Sequence, residues 1–326
     1  MKDKMTPITS HHLNAGGLQV SVTNYGASLQ DLRLSSHDIP LVLGFTNASD
    51  YARGQHYLGA TAGRVANRIS PAEITIDGQT YQLEKNERGK QMLHGGSLGC
   101  GRALWDVASI CDEAITFILD EPDGHMGFPG ALHISCTYQV TGPQKLSIFY
   151  EAYCDKPSFV NLAHHSYFRL DHQPDISDHH LQIFADSYLP VDNDNIPTGM
   201  IVSVDNTVFD FRQMGKIGMR EFDHNYCLSQ SKKVRPVAQL YSPHSGIKMT
   251  LSSDQPGLQF YTSHHLDERA DNHHGRAYRK FDGICLEPQI WPNSPNMPQA
   301  PCCLLRPGEV YTQRLDLQFS TSEITG

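Results

Sequence analysis

Short runs of alternating apolar and polar residues recur along this chain, whereas helical periodicity is almost absent. Leu18–Thr23 alternates cleanly, and residues 74–83 form two alternating runs on either side of Asp77-Gly78. A period of two is typical of strands, and Asp-Gly between such runs predicts a tight hairpin. Six further runs have the same character: 114–119, 133–140, 145–153, 181–185, 247–251 and 258–262. Many short strands without long helices between them predict an all-β fold, a large antiparallel β-sandwich with few short helices.

Nothing in the sequence divides the chain into parts. The chain has 326 residues, of which 39% are hydrophobic and 19% are charged, and this is an ordinary balance for a protein with a sizeable core. Glycine and proline clusters separate the predicted strands, but there is no low-complexity linker, long charge run or internal repeat. We therefore expect a single domain over residues 1–326, with a polar loop at 264–280.

The charge balance and the hydropathy pattern limit the partners. A formal net charge of −9 leaves no excess of cations for a phosphate backbone, so we expect no nucleic-acid partner. No apolar run has the length of a signal sequence or a membrane span, which predicts a cytoplasmic protein without membrane contact. A monomer and a homodimer both remain open.

The cysteines and histidines do not form a recognisable metal or disulfide pattern. The eight cysteines show no CxxC spacing, so reduced thiols are expected. Five pairs of adjacent histidines occur among the eighteen, but neighbours on a strand point to opposite faces and no HExxH is present. The sequence therefore predicts neither a metal site nor a cofactor.

Glu287 stands in an unusual segment, residues 286–296, which is rich in proline and side-chain amides. Prolines stiffen the backbone, and the amides and the flat face of Trp291 suit a sugar ring and its hydroxyls. An acidic residue on a surface turn would have the same appearance, so the segment by itself leaves both interpretations open.

Four other segments concentrate polar side chains beside predicted strands. In residues 63–69, two arginines that flank Asn67 are suited to clamp hydroxyls or a carboxylate, and a structural ion pair is the competing interpretation. His94 precedes two glycines that permit close approach of a ligand. Residues 161–170 alternate so that one strand face would be polar and the other apolar. Asp223, between aromatic residues, suits hydrogen bonding to paired hydroxyls, with an Asx turn as the alternative.

Taken in order, these segments resemble the signature of the aldose 1-epimerases, the galactose mutarotases. The similarity extends over nearly the whole chain and is carried by residues 63–69, 93–96, 161–170, 222–225, 256–262, 286–287 and 307–309. It implies the galactose mutarotase-like supersandwich, with a sugar-binding groove across one concave sheet. The chain departs from the usual family pattern at His164, Arg169, Pro288 and Asn293, and these positions bear on substrate preference.

The resemblance also implies residue roles. His165 is expected to be the general acid that protonates the ring oxygen of the sugar, and Glu287 the base that takes the proton of the anomeric hydroxyl. The expected sugar-binding residues are Arg68, His94, Asp223 and Gln259, supported by Asn67. The ordinary pKa values of the two side chains lead us to expect a cationic His165 and an ionised Glu287.

An acid and a base are sufficient for this chemistry. Interconversion of the α and β anomers of a free aldohexose such as galactose or glucose requires ring opening, rotation about C1–C2 and reclosure, without metal, nucleotide or covalent intermediate. Two alternatives remain. A hexose-6-phosphate 1-epimerase would need cations around the phosphate, with Arg64, Arg68 and Arg102 as candidates. A non-catalytic sugar-binding protein would have no need of a paired acid and base.

Overall fold

The structure, a computed structural model, describes residues 7–322 and consists almost entirely of short strands. The first thirteen are β1 (Ser10–Ala15), β2 (Leu18–Thr23), β3 (Ser28–Leu34), β4 (Ala60–Ala62), β5 (Arg68–Ile69), β6 (Glu73–Ile76), β7 (Gln79–Gln82), β8 (Met92–Leu93), β9 (Asp106–Ile110), β10 (Ala114–Glu121), β11 (Leu132–Gly142), β12 (Lys145–Cys154) and β13 (Ser158–Phe159). The others are β14 (Ala163–His165), β15 (Tyr167–Phe168), β16 (His180–Ile183), β17 (Ser187–Tyr188), β18 (Val202–Ser203), β19 (Gly215–Lys216), β20 (Asp223–Cys227), β21 (Arg235–Tyr241), β22 (Ile247–Ser253), β23 (Gly257–Tyr261), β24 (Ile284–Gln289), β25 (Leu304–Leu305) and β26 (Tyr311–Thr321).

Helical structure in the described residues is limited to four short 3-10 helices, at Ala48–Ala52, Cys100–Arg102, His125–Gly127 and Ser294–Asn296. The predicted all-β class with few short helices is therefore confirmed. Among residues 7–322 there is no helix that is long and apolar enough to cross a membrane.

Two sheets dominate the architecture. Nine strands form one sheet in the order β19-β16-β21-β22-β26-β12-β11-β10-β9, and six form the other in the order β15-β24-β23-β20-β17-β18. A three-stranded sheet, β1-β2-β3, and four two-stranded pairs complete the described fold. Neighbouring strands in all of these sheets pair antiparallel, as predicted.

A continuous core lies between the two large sheets. Ile148 of β12 and Leu317 of β26 belong to the same buried cluster as Phe260 of β23 and Leu286 of β24. Because successive side chains on a strand point to opposite faces, the residues that alternate with Phe260 and Leu286 lie on the other face of the six-stranded sheet. That face carries the polar pocket described below.

The predicted hairpin is formed by β6 and β7, which pair across Asp77-Gly78. Asp77 has φ 50° and Gly78 has φ 83°, as a tight turn with two left-handed residues requires. The other alternating runs coincide with β2, β10, β11, β12, β16, β22 and β23. The ends of the expected domain, residues 1–6 and 323–326, lie outside the described residues, and a single domain over 1–326 stays a prediction.

Residues 161–170 differ from the expectation of one polar and one apolar strand face. The segment forms two short strands, β14 and β15, and Ser166 lies between them. His164 and Ser166 are both buried, and the Ser166 hydroxyl lies 2.7 Å from Nε2 of His164. Polar side chains therefore occur on both faces: His165 lines the pocket, and the hydrogen-bonded pair of His164 and Ser166 is buried on the other face.

Candidate active site

Three neighbouring strands of the six-stranded sheet present the pocket floor. Glu287 of β24 lies directly opposite Gln259 of β23 in the antiparallel register. Tyr261, two residues further along β23, pairs with Asp223 of β20. Because all these residues alternate with core residues, their side chains emerge on the face away from the core.

His165 reaches the same pocket from the end of β14. Its Nε2 lies 3.7 Å from Oε1 of Glu287, and the two residues are only 6% and 2% exposed. The imidazole is flanked by Tyr57 and Tyr167, whose ring planes lie within 25° and 26° of its own. A residue from mid-chain and one from near the C-terminus thus meet in one buried site.

Asn67 and His94 approach from the rim and hold each other in place. The backbone N–H of Asn67 donates to Nδ1 of His94 at 3.2 Å, and the N–H of His94 donates to the Asn67 carbonyl at 3.0 Å. Because Nδ1 of His94 accepts this hydrogen bond, the proton of the neutral imidazole lies on Nε2. Burial, reinforced by His165 and Arg68, lowers the pKa of His94 well below its usual range, so this neutral donor form is favoured.

Arg68 is fixed by carboxylates on both sides. It donates from Nε and Nη2 to the two carboxylate oxygens of Glu87 at 2.9 and 3.0 Å, and its Nη1 lies 3.6 Å from Asp223. Asp223 in turn accepts a 2.6 Å hydrogen bond from Nε2 of Gln259. Burial opposes the charge on Arg68, but Asp223 and Glu87 keep the pKa of Arg68 above its ordinary value. The guanidinium is therefore rigid and charged at the pocket edge.

Burial shifts both members of the acid–base pair toward their neutral forms. It lowers the pKa of His165 to about 4, although nearby Asp223 acts in the opposite direction. It also raises the pKa of Glu287 well above its usual value; Asp223 adds to this shift and Arg68 opposes it. The expectation of a cationic His165 and an ionised Glu287 used the ordinary pKa values, and desolvation of the two side chains acts against both charges.

The pocket is a cavity of about 190 Å³, and all seven predicted site residues line it. Eight further residues line it that the sequence did not indicate: Gln55, His56, Tyr57, Glu87, Leu93, Tyr167, Tyr261 and His265. A signal existed for Tyr167, two positions after His165 in the chain, and for Tyr261, two positions after Gln259 on β23. Residues 55–57 carry no comparable pattern.

Other candidates have structural positions instead. Trp291 does not line the cavity; its Nε1 donates to the Pro256 carbonyl at 2.9 Å and its ring packs in a buried cluster with Met297. The expectation of Trp291 as a sugar platform is therefore wrong. Likewise, the amide of Asn293 accepts the Ser70 N–H at 2.9 Å.

Arg64 and Arg102, the other two arginines considered as phosphate ligands, lie in different environments. Arg64 is 1% exposed and donates to Glu121 at 2.8 Å, which is the structural ion pair considered above. Arg102 lies against Tyr57, with its guanidinium carbon 4.7 Å from the ring centroid. Arg102 thereby supports one wall of the pocket.

The fold and the pocket together define a class, namely β-sandwich proteins that place a buried imidazole–carboxylate pair beside groups able to bind hydroxyls. The family model "Aldose 1-epimerase" matches residues 9–318. The chain belongs to the aldose 1-epimerase family.

Individual relatives agree with this assignment. The chain is 37% identical to the galactose mutarotase of Homo sapiens over 97% of this chain and 95% of that protein. It is 35% identical to the aldose 1-epimerase of Escherichia coli (strain K12), covering 94% and 93% of the two chains. Among solved structures, the aldose epimerase homologue from C. elegans is similar with a TM-score of 0.91 at 29% identity, covering 97% of this chain and 100% of that one.

Proposed function

We propose that this protein is an aldose 1-epimerase that interconverts the α and β anomers of free aldohexoses such as galactose or glucose. The observation that carries the proposal is the buried His165–Glu287 pair, 3.7 Å apart, within a pocket of hydroxyl-binding side chains. The named relatives, galactose mutarotases and aldose 1-epimerases at 35% to 38% identity, support the same reaction.

In the proposed cycle, two protons move together. Glu287 takes the proton of the C1 hydroxyl while the His165 imidazolium protonates the ring oxygen, and the bond between C1 and the ring oxygen breaks to give an open aldehyde. Rotation about C1–C2 presents the other carbonyl face. Ring closure then reverses both proton transfers and yields the other anomer, so neither residue is consumed.

The pKa shifts suit the intermediate of this cycle. Ring opening leaves His165 neutral and Glu287 protonated, which is the state that burial favours. When the ring-closed sugar is bound, the reaction requires a cationic His165 and an ionised Glu287. The ring oxygen and the C1 hydroxyl of the sugar would stabilise these charges by hydrogen bonding to the imidazolium and the carboxylate. The site therefore reduces the free-energy difference between the ring-closed and the ring-open forms of the bound sugar. Because His165 and Glu287 interact, they titrate as one coupled pair.

The remaining predicted residues would hold the sugar hydroxyls. Arg68 and the Nε2–H of His94 are donors fixed by Glu87 and Asn67, so little side-chain entropy is lost on binding. Asp223 and Gln259 form a connected acceptor and donor pair. Oε1 of Gln259 is buried and has no hydrogen-bond partner among the described residues, which marks it as an acceptor for a ligand hydroxyl.

The positions of the arginines favour free sugars over sugar phosphates. Arg64 is committed to Glu121, Arg102 to the carbonyls of Gly54 and Gln55, and Arg68 to two carboxylates. A dianionic phosphate requires several cations with free charge and free donors, but carboxylates neutralise Arg64 and Arg68, and backbone carbonyls occupy donors of Arg102. These three candidates therefore do not form the cluster that a hexose-6-phosphate epimerase would need.

Polarimetry tests the proposal directly. Freshly dissolved α-D-galactose and α-D-glucose should reach equilibrium rotation faster with the protein, in EDTA and without added cofactor. Glu287→Gln keeps the shape of the side chain but cannot accept the proton, so the acceleration should fall by roughly 10² to 10⁴. Sugar binding by this variant, measured by calorimetry, should persist. A wild-type protein that binds these sugars without accelerating anomer exchange would instead be the non-catalytic alternative.

We also propose that the protein is cytoplasmic. All eight cysteines carry free thiols, which is the usual state in a reducing compartment. Cell fractionation tests the location, and sedimentation equilibrium distinguishes a monomer from a homodimer.

A further inference from the structure

Cys285 lies beside the acid–base pair, and the proposed cycle does not use it. It is two residues before Glu287 on β24, so both side chains emerge on the pocket face of the sheet. The Cys285 sulfur lies 3.7 Å from Nδ1 of His165. One donor atom from each of the three residues lies within 4.8 Å of the other two, and all three residues are buried.

The donor set is that of a thiophilic metal ion. Zn²⁺ is bound tetrahedrally by thiolate, imidazole and carboxylate at about 2.0 to 2.3 Å, which places the ligand atoms roughly 3 to 4 Å apart. The three donor atoms, all within 4.8 Å of one another, already lie close to that spacing. Mg²⁺ and Ca²⁺ prefer six or more oxygen ligands, so this mixed set selects against them.

A second observation points to a ligand at the same place. Oε2 of Glu287 is fully buried and has no hydrogen-bond partner among residues 7–322. Three protein ligands leave a fourth tetrahedral position, and His165 and Glu287 both line the cavity. Water or another small ligand entering from that cavity can complete the coordination.

We infer that His165, Cys285 and Glu287 form an inhibitory binding site for a thiophilic divalent cation such as Zn²⁺ or Cd²⁺. Binding forms metal–sulfur and metal–oxygen bonds and releases to solvent the thiol proton of Cys285 and the carboxyl proton that burial favours on Glu287, with no change of oxidation state. The bound cation occupies a carboxylate oxygen of Glu287, the base of the proposed cycle, and fixes the His165 ring through a coordinate bond, so the proton exchange of that cycle stops. The cation and the sugar therefore exclude each other. The binding rests on geometry, whereas the inhibition rests on the proposed function.

The binding is tested spectroscopically on the full-length protein after removal of metals with EDTA. Titration with CdCl₂ should produce the ultraviolet charge-transfer absorption of a Cd²⁺–thiolate bond, and saturating D-galactose should suppress the part due to this site. Cys285→Ser keeps the size of the side chain but lacks the thiolate, so it should lose one equivalent of this absorption. Cys302→Ser, at an exposed cysteine, is the matched control and should keep the galactose-sensitive component.

The inhibition is tested by polarimetry at increasing ZnCl₂. Wild-type activity should fall and return on addition of EDTA, and Cys285→Ser should require at least about tenfold more Zn²⁺ for the same fractional inhibition, because one ligand is lost. Each variant is compared with its own activity in EDTA, which separates metal sensitivity from any effect on turnover. Equal absorption and equal zinc sensitivity in wild type and Cys285→Ser would overturn the inference. A Cd²⁺–thiolate absorption that disappears in Cys285→Ser, in a wild-type protein without mutarotase activity, would refute the proposed function and leave the metal site standing.

Discussion

At the scale of single residues, strand parity decided which of the predicted residues line the pocket. His165, Gln259 and Glu287 occupy positions that face the pocket; the sequence segments indicated His165 and Glu287, and the family resemblance added Gln259. Trp291 follows Glu287 by four residues but lies past the end of β24, where alternation no longer applies. Its burial against Met297 depends on contacts that no local pattern reveals. The reversed pKa directions of the pair also required knowledge of burial.

Arg64 and Arg68 provide a matched test, because they are four residues apart and differ only in environment. Arg64→Gln leaves the buried carboxylate of Glu121 without its cation, so the free energy of unfolding should fall by about 3 to 5 kcal/mol. Arg68→Gln removes a charged donor at the pocket, so kcat/KM should fall roughly 10- to 100-fold, the equivalent of about 1.5 to 3 kcal/mol. Urea unfolding and polarimetry measure the two effects. A larger stability loss for Arg68→Gln than for Arg64→Gln would contradict the assignment.

At the scale of elements, the strands with clean alternation were predicted, whereas many others were not, and among these is a long strand with a buried charged residue. β26, the eleven-residue strand at the middle of the nine-stranded sheet, contains Leu315, Leu317 and Phe319 in the core. Asp316 between them is also buried, where it accepts hydrogen bonds from Arg314 and Ser147. Charged residues in the run obscured the alternation, although the three apolar positions were a usable signal.

The turn that carries His94 depends on glycine more strongly than the hairpin turn between β6 and β7 does. Gly95 has φ 81°, and a Cβ there would lie 2.0 Å from the Gly63 carbonyl oxygen, whereas Gly78, with φ 83°, has open space around that position. Gly78→Ala should therefore cost only about 1 kcal/mol of stability and leave kcat/KM unchanged. Gly95→Ala should displace the His94 turn and raise KM. Equal KM values in the two variants, with comparable folding by circular dichroism, would show that the His94 turn tolerates the change.

At the scale of the whole molecule, one buried cluster joins both large sheets and the N-terminal β1–β3 sheet, from Leu13 to Phe319. This continuity supports a single domain. Folding keeps several histidines in their neutral form. Burial lowers the pKa of His164 to about 3, and burial together with the nearby Arg169 lowers the pKa of His274 to about 3. Such residues bind protons in the unfolded chain but not in the native one. The native state should therefore lose stability as the pH falls below about 6.5.

His179 offers the cleanest test of this acid sensitivity. It is fully buried, and its Nε2 accepts the Leu170 N–H at 3.0 Å. Burial lowers its pKa, with Arg169 and His244 adding to the effect and Asp171 and Asp178 opposing it. Because the unfolded state binds the extra proton, wild type should lose up to about 1.4 kcal/mol per pH unit at this residue below about pH 6.5.

The variant His179→Gln can still accept the Leu170 N–H but does not titrate. Its free energy of unfolding, from urea denaturation between pH 7.5 and 5.0, should decline less steeply than that of wild type. The exposed His172, changed to Gln, is the control and should leave the slope unchanged. Parallel slopes for wild type and His179→Gln would mean that His179 takes up its proton in the native state. The acid sensitivity of the fold would then have to arise from other buried groups.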